Sequence, residues 1–145
     1  MINLVLPIDF GDATDKLLNA AIEFAKNMNG KLHVIHVAPS DIGFAIGEMG
    51  FQYFPEIEQA EIKEELQQLN RIEKQIVAEG LKCEHILRQG PAGDIILEYA
   101  EEKEASYIIL GSHGRSGIYD VIVGSLTKEI TRRSKIPVLV IPVRQ

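Results

Sequence analysis

The sequence predicts one α/β domain over residues 1–145, a Rossmann-like three-layer α/β/α sandwich on a five-stranded parallel sheet. Three observations carry this. Five short runs are apolar nearly throughout, as strands covered on both faces must be; half-exposed strands would alternate. Between them lie stretches whose apolar residues recur at three and four, the period of a helix with one buried face. Strand and helix patterns then alternate along the chain, the order that yields parallel strands joined by helical crossovers. A length of 145 residues suits one core, and no Pro/Ser-rich linker divides it.

The first strand is the run at residues 2–7, ending in Pro7. A helix follows over 12–29, with Leu17, Ala21, Phe24, Ala25 and Met28 on its apolar stripe and Asn29-Gly30 as its stop. Leu32 to Val37 form the second strand. Residues 41–54 read as a loop from their glycines, yet they are rich in large apolar side chains. Such a segment folds over a ligand, meets a partner subunit, or covers the sheet edge. A long helix over 56–79 places Ile62, Leu66, Leu69, Ile72 and Ile76 on one face and ends at Gly80. Its glutamates, Glu58, Glu61, Glu64 and Glu65, read as a solvated face. The runs at 83–88 and 106–110 flank a third helix introduced by Pro91, which fits a first helical turn. The last strand is 137–143, apolar and interrupted by Pro142.

Composition narrows the function classes. A net charge of −6 argues against a nucleic-acid surface; only Lys128, Arg132, Arg133 and Lys135 approach a basic cluster. No apolar stretch reaches membrane length, and the first residues form a strand-like run without a basic leader, so a cytoplasmic protein without membrane insertion is expected. The single cysteine, Cys83, cannot form an internal disulfide and reads as a small buried hydrophobe on a strand.

The most informative stretch is 111–125, Gly-Ser-His-Gly-Arg-Ser-Gly-Ile-Tyr-Asp-Val-Ile-Val-Gly-Ser, directly after the apolar run Tyr107 to Leu110. Glycines at 111, 114 and 124 let backbone N–H groups take positive φ and crowd a ligand. The helix beginning near Ser125 would aim its first free N–H groups at the same place. Together these point to a phosphorylated small molecule. Ser125 can also act as the helix N-cap, a role compatible with phosphate binding. Arg115 either clamps a terminal phosphate or is a solvated loop residue, and His113 is a loop side chain satisfied by backbone or a ligand contact. In parallel sheets ligands sit beyond the carboxyl ends of the strands, where strand order reverses. There the chain offers Pro7-Ile8-Asp9, Val37-Ala38 and Leu110-Gly111. Asp9 either accepts a hydrogen bond from a ligand amine or ribose, or serves as a turn or capping carboxylate.

Some chemistry is disfavoured. No Gly-x4-Gly-Lys-Ser/Thr places a lysine on a transferring phosphate, and no Gly-x-Gly-x-x-Gly follows the first strand. Binding without fast turnover is the expectation. His33 and His36 fall on opposite faces of one strand and cannot share a metal. Cys83 and His85 share a face but lack two further ligands at a telling spacing.

The pattern Gly-x2-Gly-x9-Gly-Ser at 111–125, the strand ending in Pro7-Ile8-Asp9, the strand end Ile35-His36-Val37, the stretch Gly90 to Ile96, and Pro137 to Val140 together resemble the nucleotide-binding branch of the universal stress protein family. The resemblance covers the whole chain. It implies ATP or another adenine nucleotide as ligand, and no metal site is expected beyond a nucleotide-associated Mg2+ or Mn2+. By position it implies that Asp9 and the Val37 backbone hold adenine, that Gly111 lies against ribose, and that Gly114, Gly124 and Ser125 hold phosphates, with Leu110 and Leu126 lining the site. Phe10-Gly11 departs from the small polar step that many relatives carry after the aspartate. The resemblance further implies a homodimer through strand 137–143 and a signalling role toward an unidentified protein partner. A second reading is a slow ATPase or self-phosphorylating enzyme with Ser112, Ser116 or Ser125 near the terminal phosphate.

Overall fold

The computed structural model describes residues 1–113 and 123–143. Gly114, Arg115 and Ser116 therefore lie outside the described residues. The elements run β1 (Ile2–Pro7), α1 (Thr14–Met28), β2 (Gly30–Ala38), β3 (Phe44–Gly47), β4 (Gly50–Tyr53), α2 (Pro55–Ala78), β5 (Cys83–Gln89), α3 (Ala92–Glu102), β6 (Tyr107–Gly111), α4 (Ser125–Arg133) and β7 (Val138–Ile141). Five strands form a parallel sheet in the order β5-β2-β1-β6-β7. The expected architecture is present.

Alternation along β1 explains the layers. Leu4 and Leu6 point to one face, where they join Leu17, Leu18, Ala21, Ile22 and Ala25 of α1 and Leu69, Ile72 and Ile76 of α2. Val5 points to the other, with Ile35 and Ile108, against Ile96, Tyr99 and Ala100 of α3 and Ile130 of α4. Each face thus loses its apolar surface to a helix pair. Among the described residues no helix is long and apolar enough to cross a membrane.

Several local expectations are corrected. Residues 41–54 are no plain loop: β3 and β4 pair antiparallel, Phe44 opposite Tyr53 and Ile46 opposite Phe51. The buried stripe of α2 runs through Glu65, Leu69, Ile72 and Ile76, while Leu66 is exposed. Glu65 is therefore not on the solvated face with Glu61 and Glu64; at four, three and four residues' spacing it belongs to the inward row, which the half-buried Glu58 and Ile62 extend toward the helix start. Met28 is likewise exposed, because Leu18 and Ile22 complete the α1 stripe instead. Pro91 is the N-cap of α3, one residue before its first turn. β7 spans only Val138–Ile141 and lies at a sheet edge.

The step from α1 to β2 is tight. Asn29 caps the helix at φ 52°, a left-handed conformation that Asn tolerates better than most residues. Gly30 then starts β2 with no space for a side chain: a Cβ there would sit 2.5 Å from Leu4 Cδ1 and 3.1 Å from its Cγ. At the other side of the sheet a charged cluster ties β5 to α3. Glu84 accepts from Lys103 Nζ at 2.8 Å and Lys31 Nζ at 3.2 Å, and lies 2.8 Å from His33 Nδ1. The Lys103 bond foremost, with Lys31 and His33, holds the Glu84 carboxyl down to about 2. His33 is itself pushed below its usual range, because burial outweighs the pull of Glu84.

Two outcomes follow for stability. Gly30→Ala should destabilise by about 1–3 kcal/mol, the range for overpacking a core that must shift, read from urea unfolding midpoints. The Glu84 carboxyl is depressed in the folded state, so its contribution is complete above about 4.5 and disappears as pH falls toward about 2. Discounted for the exposure of its side chain, that contribution is about 1 kcal/mol or less. Unfolding free energies of wild type and Glu84→Gln should differ at pH 6 and converge near pH 2; a constant difference across that window would refute the assignment.

Candidate functional site

Strand order locates the site. From β1 the chain crosses to β2 on one side and later returns to β6 on the other, so the crossovers diverge beyond the carboxyl ends of β1 and β6. A crevice of about 360 Å³ opens there, a size within the range of small-molecule sites. Pro7, Asp9, Val37, Leu110, Gly111, His113, Gly124, Ser125 and Leu126 all line it. Every expected site residue within the described chain is thus brought to one cavity.

One wall is built by the turn after β1. Ile8 N donates to Ile35 O at 2.8 Å, continuing the ladder one residue past β1. Gly11 N then donates to Asp9 Oδ1 at 2.9 Å, an Asx turn that holds the carboxylate at the crevice mouth. Asp9 does not cap α1, whose first residue is Thr14 and which has no side-chain cap. Phe10 sits at φ 60°, a conformation costly for a residue with a large side chain. Its ring lies on that of His36, centroids 4.5 Å apart.

His36, unassigned from the sequence, is buried in the same wall. Its Nδ1 donates to Ile8 O at 2.7 Å, and its Nε2 is ion-paired to Glu65 Oε2 of α2. Glu65 Oε1 is buried without a hydrogen-bond partner among the described residues. No sequence signal linked residues 29 positions apart; the only hint was that a glutamate occupies the apolar row of α2. Thr14 is a second residue the sequence reading missed. Its Oγ1 is buried in the crevice wall with no partner among the described residues.

The opposite wall joins the end of β6 to α4. Gly111 is packed closely: a Cβ would lie 3.3 Å from His113 O and 3.5 Å from Val143 Cγ1. Its value is closeness of approach, since neither Gly111 nor Gly124 takes a positive φ. Ser112 is a structural knot. Its N donates to Ile141 O at 2.8 Å, its O accepts from Gly124 N at 2.6 Å, and its Oγ accepts from Val143 N at 3.1 Å. The same Oγ lies 3.0 Å from His113 Nδ1.

Gly124, not Ser125, is the N-cap of α4; Ser125 is its first helical residue. Lys128 N makes the first bond of the helix, to Gly124 O at 3.0 Å, so the amides of residues 125–127 precede any intrahelical partner. Thr127 Oγ1 donates to Gly111 O at 2.8 Å, clamping this helix end onto the end of β6. The positive end of a helix dipole therefore borders the crevice, across from the Asp9 carboxylate.

The other candidate ligands are accounted for elsewhere. His85 Nδ1 lies 3.2 Å from Glu73 Oε1, and burial foremost pushes the Cys83 thiol up to about 12, which leaves it inert. Among the described residues no group of three His, Cys, Asp or Glu side chains could hold a metal ion.

Comparison with known proteins agrees with this fold. The chain is similar to Universal stress protein YxiE of Bacillus subtilis, 29% identical over 143 residues that cover 95% of this chain and 97% of that one. Its fold matches the solved structure of MJ0577, a Methanocaldococcus jannaschii protein, at a TM-score of 0.83 and 24% identity, over 97% of this chain and 94% of the other. It also matches a universal stress protein from Archaeoglobus fulgidus in complex with dAMP, at a TM-score of 0.66 and 22% identity over 97% of both chains. The universal stress protein family model matches residues 1–142, and this chain belongs to that family.

Proposed function

We propose that this chain is a cytoplasmic module of the stress response that binds an adenine nucleotide, ATP foremost, in the crevice and presents its occupied state to a protein partner. The observation that carries this reading is the opposition of two chemistries across one cavity. The free amides of residues 125–127 suit phosphate, and the Asp9 carboxylate suits the exocyclic amine or a ribose hydroxyl. Pro7, Val37, Leu110 and Leu126 supply apolar contact for a purine between them. Gly114 and Arg115 complete the proposed phosphate loop by sequence position. The dAMP complex of the Archaeoglobus relative supports the ligand class.

Thr14 Oγ1 supports the reading too. A buried hydroxyl without a partner costs stability, and a ligand acceptor or donor in the crevice would relieve it. Among the described residues Asp9 is the single carboxylate lining the crevice, so an accompanying Mg2+ or Mn2+ would be held chiefly by the phosphates and water. Binding without fast turnover is favoured over hydrolysis or self-phosphorylation: Ser112 is buried with its hydroxyl engaged, and among the described residues no lysine lines the crevice. A homodimer through the edge strand β7 belongs to the same proposal. Its unpaired side would meet a second copy across a two-fold axis, with Pro142 limiting the ladder.

Nucleotide released by denaturing fresh protein should contain adenine, and stripped protein should bind ATP saturably. Asp9→Asn should weaken that binding by about tenfold, the loss of one charge-assisted hydrogen bond, and Gly114→Val should abolish it. Thr14→Val should weaken binding while leaving the apo protein as stable or more so. Absence of saturable binding by folded protein would overturn the assignment. In sedimentation velocity the protein should run as a dimer, and Val140→Glu, which puts a charge on the proposed seam, should shift it to monomer; an unchanged dimer would move the interface elsewhere.

A further inference from the structure

The β3–β4 hairpin is built inside out. In antiparallel pairs with one wet face, the polar residues face water. Here the strand alternation does the opposite: Phe44, Ile46, Phe51 and Tyr53 share the exposed face, while Ala45, Gly47 and Gln52 are the half-buried ones. Ile46 is 85% exposed, Met49 in the turn 87% and Phe51 68%. The aromatic residues are also ordered among themselves. Phe44 stacks on Phe51 with centroids 5.7 Å apart and meets Tyr53 at 5.1 Å. Apolar residues scattered singly over a surface need no explanation, but a contiguous, pre-arranged apolar face does.

The hairpin is held firmly at its base. Ile42 is buried, and Phe54 N donates to Gly43 O at 2.8 Å. Gly43 takes φ +94°, and a Cβ on it would lie 2.8 Å from Glu58 Cβ. Tyr53 Oη donates to Glu58 Oε1 at 3.1 Å. An isolated two-stranded hairpin is marginal in water, so this anchoring presents the apolar face in a set orientation.

Charge decides what can cover it. Residues 32–62 contain no lysine or arginine, while Asp41, Glu48, Glu56, Glu58 and Glu61 fall within them. Glu58 and Glu56 bear directly on the Tyr53 phenol, which they push above its usual range. A second copy docked face to face would bring an identical acidic rim against this one, and an anionic lipid surface would be repelled in the same way. A partner carrying cations around an apolar stripe suffers neither penalty.

We propose that the apolar face of the β3–β4 hairpin, with its acidic rim, is a docking surface for a lysine- or arginine-rich amphipathic segment of another protein. Its apolar side chains would pack on Phe44, Ile46 and Phe51, and its cations would face Glu48, Glu56 and Glu58. The surface lies outside the crevice, so the inference does not depend on nucleotide binding.

The test is a fluorescence-anisotropy titration of the intact protein, with and without ATP, using a labelled amphipathic Leu/Lys helical peptide and a Leu/Glu twin as probes. The Leu/Lys peptide should bind saturably, more weakly as salt rises, and the twin should not bind. Ile46→Ser/Phe51→Ser keeps every charge and removes only exposed apolar groups, so it should fold with an unchanged melting temperature and lose at least about tenfold in affinity. Glu56→Gln/Glu58→Gln should weaken binding and flatten its salt dependence. Equal binding to wild type and the hairpin double variant would reveal only diffuse attraction to an acidic protein and overturn the proposal. So would absence of saturable binding, attachment of wild type to zwitterionic phosphatidylcholine vesicles, or self-association that the hairpin substitutions abolish. Loss of ATP binding with peptide binding intact would count against the nucleotide reading alone.

Discussion

A parallel sheet covered on both faces leaves only its strand ends and its two edges uncovered, and most of this molecule follows from that constraint. β1 is the pivot: Leu4, Val5 and Leu6 are fully buried, pointing alternately into two cores. Helices must then cover each face, and the crossovers from β1 toward β2 and from β5 back to β6 diverge where strand order reverses. The divergence leaves a crevice without removing any apolar residue from the core. Ligand binding in such a fold needs no cavity carved out of packed side chains, which would cost stability.

The crevice wall carries an unusual polar element for so apolar a fold. His36 is held between the Ile8 carbonyl and the Glu65 carboxylate, with Phe10 across its ring. Removing either member of such a buried pair is costly, because the remaining polar group has no water to turn to. The pair ties α2 to the carboxyl end of β2 and, through Ile8, to the turn that orients Asp9. The strained φ of Phe10 sits in the same knot. Shape at this end of the crevice thus depends on contacts between α2, β2 and the β1 turn together. The other end is held by Ser112 and Thr127, which fasten the start of α4 to the ends of β6 and β7.

The hairpin lies between β2 and α2, the two elements that the His36–Glu65 pair joins. Phe54 and Gly43 at its base are one turn or less from the start of α2, and Glu58 of α2 packs against Gly43. Crevice and hairpin therefore share α2 as a common support.

How much could be read in advance follows from the range of the interactions concerned. The apolar runs, the helical periods, the Asn29-Gly30 stop and the glycine-serine pattern at 111–125 are local, set by residues a few positions apart; the fold class and the strand-end residues Pro7, Asp9, Val37, Leu110 and Gly111 followed from them, whereas Leu126 came only with the family resemblance. Side-chain roles that depend on distant partners did not. Glu65 looked like one more solvated glutamate until packing put it against His36, and Thr14 carried no signal in the sequence, since only tertiary packing buries its hydroxyl. Residues 41–54 displayed both glycines and apolar side chains, but only strand pairing could say which face they turn outward. By itself the sequence determined the class of fold, the order of the five sheet strands and four helices and the strand ends that border the crevice, because periodicity and turn chemistry act along the chain. Tertiary structure alone decided which charges are buried in pairs and which apolar residues remain in water, because those depend on what each surface meets across space.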